Sequence, residues 1–120
     1  MFVNSKPTFK DSTHWMRVLC MNMALWKRQK RIKEIVGDHK VYLTFDIDGL
    51  VPAFVPGTGT PVFGGLTSGR VAIILRDIAG INLIGGDVVE VSLAYDTTGA
   101  TAVAGSQIVL ELLCLLANKN

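Results

Sequence analysis

Residues 41–66 read VYLTFDIDGLVPAFVPGTGTPVFGGL. The opening run, Val41 to Ile47, is almost wholly apolar, β-branched or aromatic, which is the pattern of a buried parallel strand. Asp46 and Asp48 stand at its end. Residues i and i+2 of a strand share a face, so strand geometry predicts both carboxylates aimed at one spot. That spot lies beyond the carboxyl end of the strand, where open α/β sheets hold their ligands. Two like charges side by side are costly unless a cation joins them. The expectation is a metal site, and hard oxygen donors suit Mg²⁺, Ca²⁺ or Mn²⁺. A strand-end turn with solvated acids is the plainer alternative. The loop that follows weighs against it. Residues 49–66 hold Pro52, Pro56 and Pro61 with Gly49, Gly57, Gly59, Gly64 and Gly65, and long structured loops of this kind usually carry function.

Downstream, Thr67 or Ser68 can cap a helix running to about Ala79. Its Val71, Ile74, Leu75 and Ile78 fall on one face, and Gly80 stops it. Ile81 to Val91 reads as a second strand and residues 97–102 as a polar turn. A last helix from about Ala102 to Ala117 is expected to bury Val103, Ile108, Val109, Leu112, Leu113, Leu115 and Leu116. Strand, loop, helix, strand, helix implies a right-handed βαβ crossover with a covering helix. If the two strands are neighbours, Glu90 at the end of the second faces the same crevice as the aspartates. There it could bind a cationic group or a metal. Asp87 is expected to be a structural acid hydrogen-bonded near the sheet.

The 120 residues suffice for one domain or part of one, and 49 % are apolar. No run of 18 uninterrupted apolar residues occurs, so no membrane span is expected. Cys20 and Cys114 form no CxxC pair and suggest reduced thiols inside a cell. Charge divides the chain. Residues 1–40 carry nine Lys/Arg against three Asp/Glu, and residues 41–120 carry three against seven. The division predicts a basic, poorly defined segment over 1–40 and a separate body over 41–120. Residues 1–25 show no clean period and no secretory signal; a mitochondrial transit peptide is a weak reading, since Asp11 interrupts it. Residues 24–36 suit a helix, with Ala24, Leu25, Arg28, Ile32, Ile35 and Val36 as a partial stripe and Gly37 as its C-cap. The run Lys27 to Arg31 can be taken for a nucleic-acid patch, but the solvated face of a helix accounts for it and no nucleic-acid module accompanies it.

The spaced motifs Thr44-Phe45-Asp46-Ile47-Asp48, Pro52, Pro56-Gly57 and Gly65 resemble the third signature of the ureohydrolases, the arginase and agmatinase family. DIDGL, PGTGTP, GGLTS, INLIGGDVVEVS and Tyr95-Asp96 are most similar to the agmatinase branch, over about residues 32–117. The resemblance implies a three-layer α/β/α fold with a parallel sheet, of which this chain holds the C-terminal βαβα part. It implies two Mn²⁺ ions, hydrolysis of a guanidino compound such as agmatine to urea and an amine (putrescine, in polyamine biosynthesis), and a homo-oligomer in the cytoplasm. Mitochondria are the alternative compartment. Neither nucleic acid nor membrane is an expected partner. Asp46 and Asp48 become metal ligands, and Glu90 the residue that binds the guanidinium. No catalytic residue is assigned.

Departures accompany the matches. Val51 stands where the family has Asp and is expected to loosen the loop; Leu93 replaces a small residue or Pro; Gly69 replaces a better helix former. The family's upstream histidine and Asp-x-His-x-Asp ligands do not appear in residues 1–40. His39, seven residues before Asp46, is about 23 Å away along an extended strand, and His14 lies in no motif. A truncated gene model, a decayed gene or a shortened product would all give this, and an inactive fragment is expected. The alternative is a non-catalytic module that pairs with a full-length relative. A haloacid-dehalogenase phosphatase, which also opens on DxD, is disfavoured because no Lys lies between Lys40 and Lys119. For the same lack of a Lys the GTGT loop is not a Walker phosphate cradle.

Overall fold

The computed structural model describes residues 25–118, with side chains from residue 30 onward. The expectations for residues 1–24 and for His14 lie outside the described residues. Helix α1 (Leu25–Val36) buries Ile32 and Val36, one turn apart. Ile35, expected on that stripe, is 53 % exposed, because it falls a quarter-turn from Val36 on the polar face. Lys30, Arg31, Lys33 and Glu34 are exposed there too, with Arg31 and Glu34 3.7 Å apart. Gly37 ends the helix at φ +48, a left-handed conformation that suits glycine, and its N–H donates to Lys33 O.

Strand β1 (Val41–Asp46) pairs in parallel with β2 (Leu83–Val89). Helix α2 (Ser68–Asp77) lies between them in the chain, as a parallel connection requires. Thr67 caps it by accepting from Arg70 N–H, and Val71, Ile74, Leu75 and Ile78 are buried as expected. Helix α3 (Ala100–Ala117) then closes over the sheet, two residues earlier than its periodicity suggests. The earlier start comes from Asp96, whose two oxygens accept from Thr101 and Ala102 N–H. A side chain outside the helix thus satisfies first-turn donors that Gly99 at the N-cap cannot.

The strand register contains one irregularity that decides the faces. Val41 pairs with Leu83, but Tyr42 pairs with Gly85, so Ile84 is an extra residue in β2. Before it, Leu83 points into the core with Val41; after it, Gly86 and Val88 take over that face opposite Leu43 and Phe45. Leu112 of α3 lies against Gly86. The buried residues of all three helices join this face in one cluster: Ile32, Val36, Val71, Leu75, Ile108, Leu112 and Leu115 with Val41, Leu43 and Leu83. The other face carries Tyr42, Thr44, Asp46, Gly85, Asp87 and Val89 and is open among the described residues. Tyr42 is accordingly 45 % exposed. The apolar run of β1 has the pattern of a buried parallel strand; among the described residues only one of its faces has a helical layer on it.

Helix α3 also corrects its expected burial. Ile108, Leu112 and Leu115 are in the core and Leu116 is partly buried, whereas Val103 (72 %), Val109 and Leu113 are exposed. The helix is apolar almost all round, so its composition cannot say which third meets the core. By length and composition alone it would cross a membrane. One face of it packs on the sheet, and about a third of its residues are buried there (33 %). Glu111, 12 % exposed at its side chain, takes two hydrogen bonds from Arg76 Nε and one of 2.5 Å from Arg76 Nη2. This bond from the end of α2 holds the Glu111 carboxyl below its usual range, against a rise from burial.

Candidate metal and substrate site

The chain leaves β1 at Asp46 and turns at once into a single 3₁₀ turn, Ile47–Gly49. The Asp46 carboxylate caps that turn by accepting from Asp48 N–H at 3.0 Å. Strand alternation, the expected cause of their convergence, therefore does not place Asp48. A tight turn keeps the second acid beside the first and tucks it inward, to 4 % exposure. Its Oδ2 accepts the Thr60 hydroxyl, while its Oδ1 is buried with no hydrogen-bond partner. A buried carboxylate oxygen left without a donor is energetically poor and is the kind of atom that a cation satisfies.

The loop that carries Thr60 is tied at three points. At its base, Val51 N–H donates to Leu66 O and Leu66 N–H to Gly49 O, so that Leu50 and Leu66 bridge in parallel. Gly65 lies flat on this bridge: a Cβ there would come within 2.6 Å of Leu50 C. Further out, Gly57 N–H donates 2.7 Å to the buried Thr101 hydroxyl of α3, and Gly57 O accepts from Ser92 N–H. Any side chain at Gly57 would run into Asp96. Val55 is fully buried beneath the loop. At Val51 the backbone N–H and the carbonyl are both hydrogen-bonded, to Leu66 O and Phe54 N–H.

Asp96 thus does two jobs, capping α3 and walling the loop. Burial pushes its carboxyl up, but the Ala102, Thr101 and Gly99 amides and the Thr101 hydroxyl outweigh it and hold it below the usual range. Thr58, beside this clamp, is buried with its hydroxyl unpartnered.

Glu90 lies one residue beyond Val89, and Val89 is the register partner of Asp46. The parallel pairing therefore brings Asp46, Asp48 and Glu90 to the same end of the sheet. Glu90 is exposed, and at φ +65 it is the one non-glycine residue in the left-handed region among the described residues. Such a conformation is costly for a residue with a Cβ and concentrates at functional sites. Among the described residues no group of three or more His, Cys, Asp or Glu is assembled to hold a metal. Glu90 therefore does not join the aspartates as a metal-holding trio among the described residues. His39 lies at the opposite end of β1, with Nδ1 3.0 Å from Val36 O.

Asp87 behaves as the structural acid expected of it. Its two oxygens accept the Tyr42 and Thr44 hydroxyls across the strands. The bond to Asp87 raises the Tyr42 phenol above its usual value. Sequence reasoning missed Thr60, Thr101 and the strain at Glu90. Only the threonines of PGTGTP hinted at the first, and nothing local marks the other two.

Comparison with known proteins follows this geometry. The profile described as the arginase family matches residues 8–115, beginning well before residue 32, where the resemblance read from the sequence starts. An agmatinase of Photorhabdus laumondii is 60 % identical over 89 residues, covering 74 % of this chain and 29 % of that protein. Among solved structures, a hypothetical agmatinase from Burkholderia thailandensis superposes with a TM-score of 0.77 at 49 % identity, over 83 % of this chain and 32 % of its own. Proclavaminate amidino hydrolase from Streptomyces clavuligerus gives 0.77 at 41 % identity, over 81 % and 32 %. The chain therefore spans about a third of the length of the relatives it matches. A parallel α/β unit, an acid pair at its carboxyl end and a profile match over nearly all its length together show that this chain belongs to the arginase family.

Proposed function

We propose that this chain carries part of an agmatinase-like site, which hydrolyses a guanidino compound to urea and an amine. The observation that carries the reading is the Asp48 carboxylate, buried at the strand end with one oxygen unpartnered. Asp46 and Asp48 fit Mn²⁺ as hard oxygen donors. When bound, a manganese pair supplies Lewis acidity and lowers the pKa of water toward neutrality. Glu90, exposed beyond the neighbouring strand, orients the planar guanidinium by charge-assisted hydrogen bonds. The kinship with proteins named agmatinase supports agmatine or a similar substrate.

Two carboxylates do not complete a two-metal cage, so the chain alone turns over little or no agmatine. Urea release with Mn²⁺ is the test, with a full-length relative as positive control. Robust turnover by these 120 residues overturns the half-site reading. Calorimetry that shows two Mn²⁺ ions bound at micromolar strength does the same.

One observation favours a second reading, a non-catalytic module that pairs with a full-length relative. Among the described residues the sheet has two strands, each with an unpaired outer edge, and α3 leaves an apolar groove of about 420 Å³ lined by Val88, Val91, Ala102, Gly105, Ser106 and Val109. Unpaired strand edges recruit other chains. Light scattering and co-purification separate the readings; a monomer that binds no relative excludes this one.

A further inference from the structure

The Asp48 carboxylate has two oxygens in unlike states. One accepts the Thr60 hydroxyl, and the other is buried without a partner. Thr60 reaches it from twelve residues away because the loop is anchored elsewhere. Gly65 is pressed on the Leu50–Leu66 bridge, and Gly57 is fastened to Thr101 and blocked by Asp96. None of these anchors belongs to the acid pair. The loop thus presents one hydroxyl donor to a carboxylate that a 3₁₀ turn has already tucked away. A carboxylate with one oxygen pinned loses most of its freedom to rotate. Partners that hold a ligating carboxylate in this way generally raise metal affinity.

We propose that Thr60 is a positioning residue for Asp48. Its hydroxyl fixes the orientation in which the remaining oxygen is offered to a divalent cation, and the Gly57–Thr101 contact holds the loop in place to do so. The proposal rests on the reading of Asp48 as a metal ligand.

The test is a Mn²⁺ titration of the full 120-residue chain, with free Mn²⁺ read by electron paramagnetic resonance and the fold checked by circular dichroism. Thr60→Val keeps the shape of the side chain and removes the donor; Thr60→Ala removes the same donor with less bulk. Both are expected to bind Mn²⁺ about tenfold more weakly, while Thr60→Ser, which keeps the donor, stays within about twofold. In an Asp48→Asn background, Thr60→Val is expected to change nothing further, which a general loosening of the loop would not produce. Equal affinity for Thr60→Val, Thr60→Ala and the unaltered chain overturns the role of Thr60 and leaves Asp48 as a ligand. Equal binding by Asp48→Asn and the unaltered chain overturns the metal reading, and the proposal with it.

Discussion

The two faces of the sheet are built from the same two strands, yet they are organised by different forces. Beneath α3, Leu43, Phe45 and Val88 meet Leu112 and Ile108 in a face held by apolar burial. On the opposite face, Tyr42 and Thr44 donate to Asp87, with Asp46 further along on the same side. Two hydroxyls satisfying one carboxylate across a strand pair give specificity of register more than stability. The division depends on Ile84, the extra residue in β2. Without it every later side chain of that strand would change sides. Asp87 would enter the core, and Val88 would leave it.

Substitutions on the two faces test that division most directly. Leu43→Ala, at a fully buried position, is expected to destabilise the fold by about 2–5 kcal/mol in urea denaturation. Asp87→Asn on the open face is expected to cost below about 1 kcal/mol and to lower the Tyr42 phenol toward its ordinary value in a spectrophotometric titration. Comparable losses at the two positions would mean that the open face is not open in solution.

The link between α3 and the loop comes next in size. Gly57→Ala drives a methyl into Asp96 and is expected to cost about 1–3 kcal/mol. Gly59→Ala, two residues along with open space around it, should be near neutral by the same measurement. Smaller and opposite in sign is Glu90→Gly. Relief of the left-handed backbone is expected to stabilise the fold by about 1 kcal/mol, while on the proposed role of Glu90 a complete relative carrying the same change is expected to lose guanidino binding. A stabilising substitution that abolishes binding would show strain retained for function.

The finest effect is the acid limb. The Asp96 carboxyl titrates lower in the folded chain than in the unfolded one. Its contribution is therefore fully present above its unfolded value, and is lost as the pH falls through the lower folded value. Glu111, lowered by Arg76, acts in the same direction. Thermal melts of Asp96→Asn and the unaltered chain should differ at neutral pH, begin to converge below about pH 4, and meet only below the lower folded value. A gap that persists in acid would show that the carboxylate's charge is not what caps α3.

Much of the architecture is legible locally. The run at Val41, the one-sided pattern of Val71, Ile74, Leu75 and Ile78, and the breaks at Gly37 and Gly80 each report a short-range preference, and each appears where its residues imply. The acid pair at a strand end, followed by a Pro/Gly loop, is the local mark of the candidate site. The errors fell where periodicity carries no information. Ile35 sits on the wrong flank of α1, and α3 is apolar all round, so neither could be assigned an inner face by counting.

The sequence alone therefore determined the elements, their parallel order and the end of the sheet at which Asp46, Asp48 and Glu90 gather. These follow from side-chain period, glycine and proline placement, and the chain direction that a crossover imposes. Only the tertiary structure decided which sheet face is covered, that Thr60 reaches Asp48, that Thr101 and Asp96 clamp Gly57, and that Arg76 holds Glu111. Those contacts join residues 12 to 44 positions apart. Their partners are selected by how the elements pack, and no local preference encodes that choice.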